Sequence, residues 1–386
     1  MWNSTAEQNT IRDGVAAVCR RFGDDYWAEC DQAARFPTEF HRAMAADGWL
    51  GLTMPENYGG AGLGVTEAAI VMHTVAMHGA MTAASSVHIN MFGTHPVVIH
   101  GTSEQHERWL PRLVAGEDQV CFAVTEPDAG LDTTNIRTFA RKVQGGYRVS
   151  GRKMWTTTAQ VANKMLLLTR TEPKANGKKS TDGITLFYTD LNRENIEVRR
   201  IAKHGRAAVD SNAVFIDDLF VPEDHRIGEE GKGFHYLLDG LNPERILVGM
   251  EAIGIGQNAI ERASKYARER VVFDRKIGMN QSIQHPLAEC WMNLQSAFLM
   301  GSKAAELYDS GKPCGAEANS TKFLGARAGY QAALQAVMTH GGMGYAKEYH
   351  VERLLREVLV TRLAPISEQL ILCYIAERIL ELPKSY

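Results

Sequence analysis

Apolar residues recur every three or four positions through the first part of the chain, as in Ile11, Val15, Val18 and Phe22. This spacing places them on one face of a helix. After Gly233 the same period returns and predicts long helices over residues 246–270, 283–310, 317–340, 351–360 and 367–380. The pattern therefore predicts helices at both ends of the chain.

The middle of the chain has a different pattern. Between about residues 119 and 226, short runs of β-branched and aromatic residues alternate with Gly, Asn and Asp clusters, which is typical of strands joined by turns. Helices before and after a sheet predict an α+β protein with three domains. These are an N-terminal α-helical domain (1–118), a middle β-domain (119–230) and a C-terminal α-helical bundle (231–386).

Composition argues against two classes of protein. Hydrophobic residues make up 45% of the 386 residues, but no run of about 18 apolar residues occurs, so no membrane span is expected. The net charge of −3 does not favour a nucleic-acid partner. The one dense basic stretch, 174–179, is typical of a solvated hairpin tip.

Cysteines and the N-terminus indicate the compartment. The six cysteines show no C-x-x-C spacing, and several lie in apolar surroundings, which is typical of reduced thiols in a protein core. The first seven residues show neither a secretory leader nor an Arg-rich transit pattern. We therefore expect a cytoplasmic protein.

Two other patterns in the sequence partly match known cofactor-binding and metal-binding motifs. The glycines at 60, 62 and 64 form a Gly-x-Gly-x-Gly string, but a dinucleotide fingerprint must follow a buried strand, and Pro55 and Tyr58 occupy that place. Six histidines lie between His73 and His106, but none has the i, i+4 spacing of a zinc helix, and no carboxylate or cysteine completes a set. We expect no metal site.

Two strand ends have the strongest chemical signal. Residues 120–130 have the sequence V-C-F-A-V-T-E-P-D-A-G, a buried strand that breaks into a turn, and the strand at 147–157 ends in K-M-W-T-T. Together these motifs resemble the flavin-binding signatures of the acyl-CoA dehydrogenase family, which is FAD-dependent. The resemblance extends to the C-terminus. It implies the fold of that family, with helices, sheet and helical bundle in this order.

The resemblance assigns residues to both parts of an FAD. The residues matched to the flavin ring are Phe122, Val124, Thr125, Trp155 and Thr157. A second set is matched to the pyrophosphate and adenine groove, which the family builds partly from a neighbouring subunit: Arg270, Phe273, Gln281, Gly341 and Gly342. Arg suits phosphate because its planar fork gives two charge-assisted hydrogen bonds, and paired glycines let the backbone approach closely. Ser367 and Gln369 are also expected to bind the cofactor, whereas Asp274 and Met338 depart from the residues usual in the family.

The resemblance also implies a position for the catalytic base. The family's most frequent base is the Glu of a Tyr-Glu-Gly-Thr string, but the matching residues 364–367 are A-P-I-S, and Pro365 has neither a carboxylate nor a backbone N–H. The isovaleryl-CoA and long-chain relatives place the Glu on an earlier helix, just before an Arg. That position is Glu244, in L-N-P-E-R.

A plainer interpretation of the same stretch stays open. Asn242 as N-cap, a proline at the first helical position and Glu244 in the first turn also form an ordinary helix start. Burial would raise the pKa of Glu244 and the helix end would lower it, so the sequence leaves the direction open. If Glu244 is not the base, Glu368 is the next candidate. The substrate contacts are assigned to Leu131, Asn242 and Arg245.

The resemblance implies an acyl-CoA dehydrogenase of fatty-acid β-oxidation. Such an enzyme converts a saturated acyl-CoA into the trans-2-enoyl-CoA: a base removes the α-proton, the β-hydride moves to flavin N5, and electrons pass to an electron-transfer flavoprotein. A homotetramer built as a dimer of dimers is expected. The alternatives are an oxygen-using oxidase of the same fold, and a flavin-bearing binding protein like the DNA-damage-associated relatives, which have extended basic C-terminal surfaces. This chain ends in E-L-P-K-S-Y without one.

Overall fold

The computed structural model describes residues 5–174 and 179–385. The tip of the predicted 174–179 hairpin and the first four residues, on which the expectation about the N-terminus partly depends, lie outside the described residues. The first helices are α1 (Ala6–Cys19), α2 (Asp24–Ala33), α3 (Thr38–Ala46), α4 (Val65–His88), α5 (His95–His100) and α6 (Ser103–Val114). The glycine-rich segment before α4 follows helical turns and not a strand, which excludes the dinucleotide fingerprint.

The middle of the chain forms one mixed sheet. Its strands are β1 (Val120–Ala123), β2 (Phe139–Val143), β3 (Gly146–Thr157), β4 (Lys164–Arg170), β5 (Ile184–Asp190), β6 (Ile196–Arg200), β7 (Ser211–Pro222) and β8 (Arg226–Ile227). Neighbouring strands follow the order β6-β7-β3-β2-β4-β5-β8, and β1 pairs with β4 in parallel. The two strands that carry the flavin-type motifs, β1 and β3, both belong to this sheet.

After the sheet, the described chain is helical apart from a short ribbon. The elements are α7 (Gly233–Asp239), α8 (Leu241–Glu269), β9 (Val271–Val272), β10 (Arg275–Lys276), α9 (Gln281–Asp309), α10 (Gly315–His340), α11 (Val351–Val358), α12 (Val360–Leu363) and α13 (Glu368–Arg378). The long helices α8, α9 and α10 pack against one another, and α8 and α9 also pack against α4. The predicted α+β class is confirmed, whereas the domain boundaries after residues 118 and 230 stay predictions.

Small residues let the central helices of the bundle touch. A Cβ added to Gly329 of α10 would lie 2.2 Å from the carbonyl oxygen of Ala252 on α8. A Cβ added to Gly254 of α8 would lie 2.3 Å from the carbonyl oxygen of His73 on α4. Both positions require glycine, because packed backbones leave no room for a methyl group. Helix α8 is therefore packed tightly between α4 and α10.

Helix α4 is broken at Ala80, which has φ 58° and ψ −156°. Near the break, the Glu357 carboxylate on α11 accepts hydrogen bonds from the Thr82 backbone N–H at 2.7 Å and from its hydroxyl at 2.9 Å. Arg353 donates to the same carboxylate at 3.0 Å, and all three side chains are buried. Buried polar groups are stable only when they are hydrogen-bonded. This network therefore holds the second half of α4 against α11.

Two local predictions were wrong. Helix α8 begins at Leu241, after Gly240, so Asn242 lies inside the first turn and is not the N-cap. The predicted helix 351–360 is divided at Leu359 into α11 and α12. Helix ends depend on tertiary contacts as well as on local preference, and they are the least predictable part of a helix.

Among the described residues, no single helix is long and apolar enough to cross a membrane. The C-terminal helices meet that condition only as a bent pair, Val351–Leu363 with Glu368–Arg378.

Candidate active site

The ends of β1 and β3 meet at one point of the sheet. The backbone N–H of Met154 donates to the carbonyl of Thr125 at 2.9 Å. Behind this contact, the buried Lys153 ammonium donates to the carbonyl of Val124 at 3.1 Å and to the Glu126 carboxylate at 2.9 Å. The two strand ends predicted to share a site are therefore in direct contact.

The pair formed by Lys153 and Glu126 was missed by sequence reasoning. Burial lowers the pKa of Lys153 to about 8, although Glu126 opposes this change. Burial disfavours the charge on Glu126 too, but Lys153 and further hydrogen bonds lower its pKa overall. Loss of either partner would leave an uncompensated buried charge. The sequence did indicate that Lys153 is buried, because strand alternation places it on the same face as the buried Tyr147 and Val149.

Trp155 projects from an irregularity in β3. The pairing of β3 with β7 shifts register between Lys153 and Thr156, and Trp155 has a φ of 60°, which is uncommon for a bulky residue. Such bulges redirect side chains beside functional sites. The indole is 54% exposed and lines a cavity. An exposed aromatic face in this place suits stacking on a flat ligand.

The cavity has a volume of about 820 Å³ and lies between the sheet and the helices. All residues matched to the flavin ring line it: Phe122, Val124, Thr125, Trp155 and Thr157. The helical side is formed by residues of α4, α8 and the segment 359–366. The cavity therefore has one wall from the middle of the chain and one from its two ends.

Glu244 lines the same cavity from the first turn of α8. It is half-buried. Burial raises the pKa of Glu244 to about 7, although the charges of His88 and Arg245 act in the opposite direction. Burial thus determines the direction of the pKa shift of Glu244, which the sequence left open. A carboxyl group with a pKa near neutrality in a cleft is a candidate general base.

Two of the three residues predicted to contact substrate line the cavity, and the third is hydrogen-bonded to one of them. Arg245 lines the cavity, and its guanidinium donates to the side-chain oxygen of Asn242 at 3.0 Å. Burial lowers the pKa of Arg245, while Glu244 opposes this change. Leu131 is 56% exposed and also lines the cavity. Asn242 is therefore suited to orient Arg245.

The segment around Pro365 was the other place where a base was considered. Pro365 lines the cavity and has no carboxylate. Glu368 is buried and accepts hydrogen bonds from Arg362 at 2.6 Å and from Arg327 at 3.1 Å. The hydrogen bond from Arg362 lowers the pKa of Glu368. A carboxylate held by two guanidinium groups is a weak base, so Glu368 is unsuited to replace Glu244.

Residues matched to the rest of the FAD are exposed on a surface that we call the bundle end, residues 270–281 and 341–345. The set consists of Arg270, Phe273, Gln281, Gly341 and Gly342. The two parts of the bundle end are close, because Tyr266 near the end of α8 stacks on His340 at the end of α10 with a centroid distance of 4.3 Å. Phe273 is 94% exposed and has a φ of 52°.

The last two predicted cofactor residues lie at the start of α13. The Ser367 hydroxyl accepts a hydrogen bond from the Leu370 N–H at 3.3 Å and so caps the helix. Gln369 is exposed. A single chain therefore places the residues matched to the flavin ring in one cavity, whereas those matched to the rest of the cofactor do not line it.

Sequence reasoning also missed a group of charged residues in the cavity wall. His88, Arg206 and Glu251 line the cavity, and His88 Nδ1 lies 2.6 Å from a carboxylate oxygen of Glu251. A signal was available for Glu251. It is the lone carboxylate in the apolar run I-L-V-G-M-E-A-I-G-I, and its position seven residues after Glu244 places both on one face of a helix.

Three family models match the chain in the order of its domains. The N-terminal, middle and C-terminal domain models of acyl-CoA dehydrogenases match residues 5–117, 121–219 and 231–380. The chain belongs to the acyl-CoA dehydrogenase family. The resemblance of the strand-end motifs and the fold that it implied are thereby confirmed.

Relatives and solved structures match this acyl-CoA dehydrogenase along most of its length. The acyl-CoA dehydrogenase fadE12 of Mycobacterium bovis is 34% identical and covers 98% of this chain and 97% of its own. The caffeyl-CoA reductase-Etf complex subunit CarC of Acetobacterium woodii is 32% identical, and the match covers 86% of this chain and 87% of that relative. Butyryl-CoA dehydrogenase from Megasphaera elsdenii superposes with a TM-score of 0.93 at 26% identity, covering 98% and 100%.

FAD is the cofactor of acyl-CoA dehydrogenases, and this one is an FAD-dependent oxidoreductase. The cavity fits a flavin ring, because the exposed indole of Trp155 and the ring of Phe122 suit a flat heteroaromatic group, and the hydroxyls of Thr125 and Thr157 suit its polar edge. No group of three or more His, Cys, Asp or Glu side chains that could hold a metal ion occurs in the described part of the chain.

Proposed function

We propose that this acyl-CoA dehydrogenase oxidises a saturated acyl-CoA thioester to the trans-2-enoyl-CoA, with Glu244 as the base. The observation that supports this most directly is the cavity. The residues matched to the flavin ring line it from the sheet, and Glu244 lines it from α8. An acyl group between the two walls would present its α-proton to Glu244.

The groups around Glu244 suit α-proton removal. With a pKa of about 7, Glu244 is largely ionised just above neutral pH and binds a proton more strongly than an ordinary carboxylate. Bound FAD supplies the acceptor for the hydride that leaves Cβ. Lys322, whose pKa burial lowers to about 8, donates to the carbonyl of Ile366 at 2.5 Å. This bond ties α10 to the segment that lines the cavity beside Glu244.

We propose an electron-transfer flavoprotein as the electron acceptor, in a fatty-acid β-oxidation pathway. The name of the A. woodii relative places that protein in a complex with Etf. The oxygen-using oxidase makes a different prediction, because it would release hydrogen peroxide steadily with substrate and air alone. Turnover that depends on the flavoprotein acceptor, with little peroxide, supports the dehydrogenase.

We further propose a homotetramer, built as a dimer of dimers, in which the bundle end meets another subunit. Phe273 is 94% exposed and Tyr345 is 88% exposed; large aromatic rings in one patch are typical of interfaces. A cytoplasmic location is proposed as well. All six cysteines lie in the described residues and are unpaired, and five of them are buried, which fits a reducing compartment.

The test of this function is an anaerobic screen. The FAD-loaded protein is mixed with straight, branched and ring-bearing acyl-CoAs, and bleaching of the oxidised flavin absorbance is followed by stopped flow. At least one saturated acyl-CoA should bleach the flavin, while the corresponding enoyl-CoA should not. If every acyl-CoA leaves a fully loaded flavin oxidised, the proposed reaction is wrong.

A further inference from the structure

The cavity wall carries more charge than α-proton removal requires. On α8, Glu244, Val248 and Glu251 all line the cavity. Glu251 follows Glu244 by seven residues, which places it about 10 Å further along the helix axis. The proposed reaction uses the first carboxylate and gives the second no role.

Only one of the two carboxylate oxygens of Glu251 has a hydrogen-bond partner among the described residues. Glu251 is fully buried, and one of its oxygens lies 2.6 Å from Nδ1 of His88, which is 6% exposed. Burial disfavours the charge on His88, but Glu251 outweighs this and raises the pKa of His88. The other oxygen, Glu251 Oε2, is buried and has no hydrogen-bond partner among the described residues. Glu251 therefore retains a free acceptor.

Arg206 retains a free donor in the same cavity. Its terminal nitrogens donate to the hydroxyls of Ser85 at 2.8 Å and of Ser211 at 3.3 Å. Its Nε is buried and has no hydrogen-bond partner in the described part of the chain. Burial lowers the pKa of Arg206, while the charges of Glu357 and then of Glu251 oppose this change. The two unpartnered atoms belong to side chains that line the same cavity, and we call the group of His88, Arg206 and Glu251 the polar subsite.

We propose that this acyl-CoA dehydrogenase acts on acyl groups that carry a hydroxyl remote from the thioester, and that Glu251 Oε2 and Arg206 Nε bind this hydroxyl. The inference rests on the proposed function. A hydroxyl donates one hydrogen bond and accepts others, so it satisfies both atoms. A plain hydrocarbon chain would displace water from these atoms and leave them unpaired, which is unfavourable.

Charged acyl groups fit the subsite less well. A carboxylate would be repelled by the free oxygen of Glu251, and an ammonium would be repelled by Arg206 and by protonated His88. A carbonyl can accept from Arg206 but cannot donate to Glu251. The hydroxyl is the smallest neutral group that both donates and accepts.

The experiment compares matched acyl-CoAs on the FAD-loaded wild-type enzyme. One arm pairs straight chains of four to twelve carbons with and without a terminal hydroxyl, and a second pairs 3-phenylpropanoyl-CoA with its ring-hydroxylated forms. We expect kcat/KM to favour the hydroxylated partner at least tenfold in one arm, which also tells an alcohol from a phenol. A smaller preference in both arms, or a higher kcat/KM for the matching ω-carboxyacyl-CoA, overturns the proposal.

Two variants assign the preference to the subsite. Glu251→Leu removes the acceptor, and the ratio of the two kcat/KM values should fall at least threefold. Val248→Ala, one turn away on the same cavity wall, should keep the ratio within threefold of wild type, whatever it does to either rate. A smaller fall for Glu251→Leu overturns the assignment. Because the ratio is measured within one variant, a partial folding defect cancels.

The same measurements separate failure of the subsite from failure of the reaction. If unsubstituted acyl-CoAs bleach the flavin but the hydroxyl group raises kcat/KM less than tenfold, only the proposal about the subsite is wrong. If neither member of any pair bleaches the flavin, the proposed dehydrogenation is wrong, and the hydroxyl proposal falls with it.

Discussion

The cavity and the bundle end are both matched to one cofactor, but they differ in what surrounds them. In the cavity, residues from both helical parts and the sheet meet, and the charges of Glu251 and Glu357 are buried and paired. At the bundle end, the side chain of Phe273 and the backbone of residues 341 and 342 are exposed. One chain thus encloses the residues matched to the flavin ring and leaves those matched to the rest of the cofactor exposed, as expected if a second subunit completes the proposed site.

The largest effect is expected at Glu244. Glu244→Gln keeps the shape of the side chain but removes the basic oxygen, so flavin reduction should slow by about 10²–10⁴-fold while acyl-CoA still binds. The measurement is anaerobic stopped-flow bleaching with a parallel binding titration. The control is Glu261→Gln, at an exposed position on the same helix. Its rate of flavin reduction should stay within threefold of wild type. Flavin reduction by Glu244→Gln within a few-fold of wild type would show that Glu244 only begins a helix.

The buried scaffold of the cavity is tested at Glu357. Glu357→Ala leaves Arg353 and the Thr82 N–H without their buried partner, so the free energy of unfolding should fall by about 3–5 kcal/mol. Chemical denaturation of the FAD-loaded protein measures this change. Glu197→Ala removes an exposed pair with Arg199 and should leave the free energy of unfolding nearly unchanged, because water screens exposed charges. Equal losses for the two variants would contradict the role given to burial.

The bundle end is tested by placing a charge on it. Phe273→Asp should dissociate the proposed oligomer and weaken FAD binding at least tenfold, because it replaces an aromatic ring at the proposed interface with a carboxylate that must be desolvated. Light scattering and FAD titration give the two values. The control is Ile99→Asp, on an exposed apolar side chain of α5, which should change neither. A monomer with wild-type FAD affinity would mean that one chain holds the whole cofactor.

The smallest effect is a pH dependence. Glu244 must be deprotonated to act as a base, and its pKa is raised to about 7. kcat/KM should therefore fall about tenfold per pH unit below 7 and become level above it. Lys203, whose pKa burial lowers to about 7, lines the same cavity. Lys203→Arg should keep the profile if Glu244 causes it, whereas loss of the profile in this variant would assign the titration to Lys203.

Local patterns were sufficient for the fold class and for part of the site. The helical period at Ile11, Val15 and Val18, and the strand runs ending at Thr125 and Thr157, depend on residues close in the sequence. Periodicity therefore located the helices before and after a sheet, and the motif order indicated the family. The position of Glu244 beside the cavity followed from the same match.

The electrostatics of the cavity were determined only by the tertiary structure. His88 meets Glu251 across 163 positions of sequence, and Arg206 meets Ser85 across 121. Burial by these distant segments raises the pKa of Glu244, and the broken helix α4 brings Ser85 and His88 into the wall. A charge is stabilised or suppressed by whatever surrounds it in space. Sequence patterns report neighbours along the chain, so they could not supply these pairings.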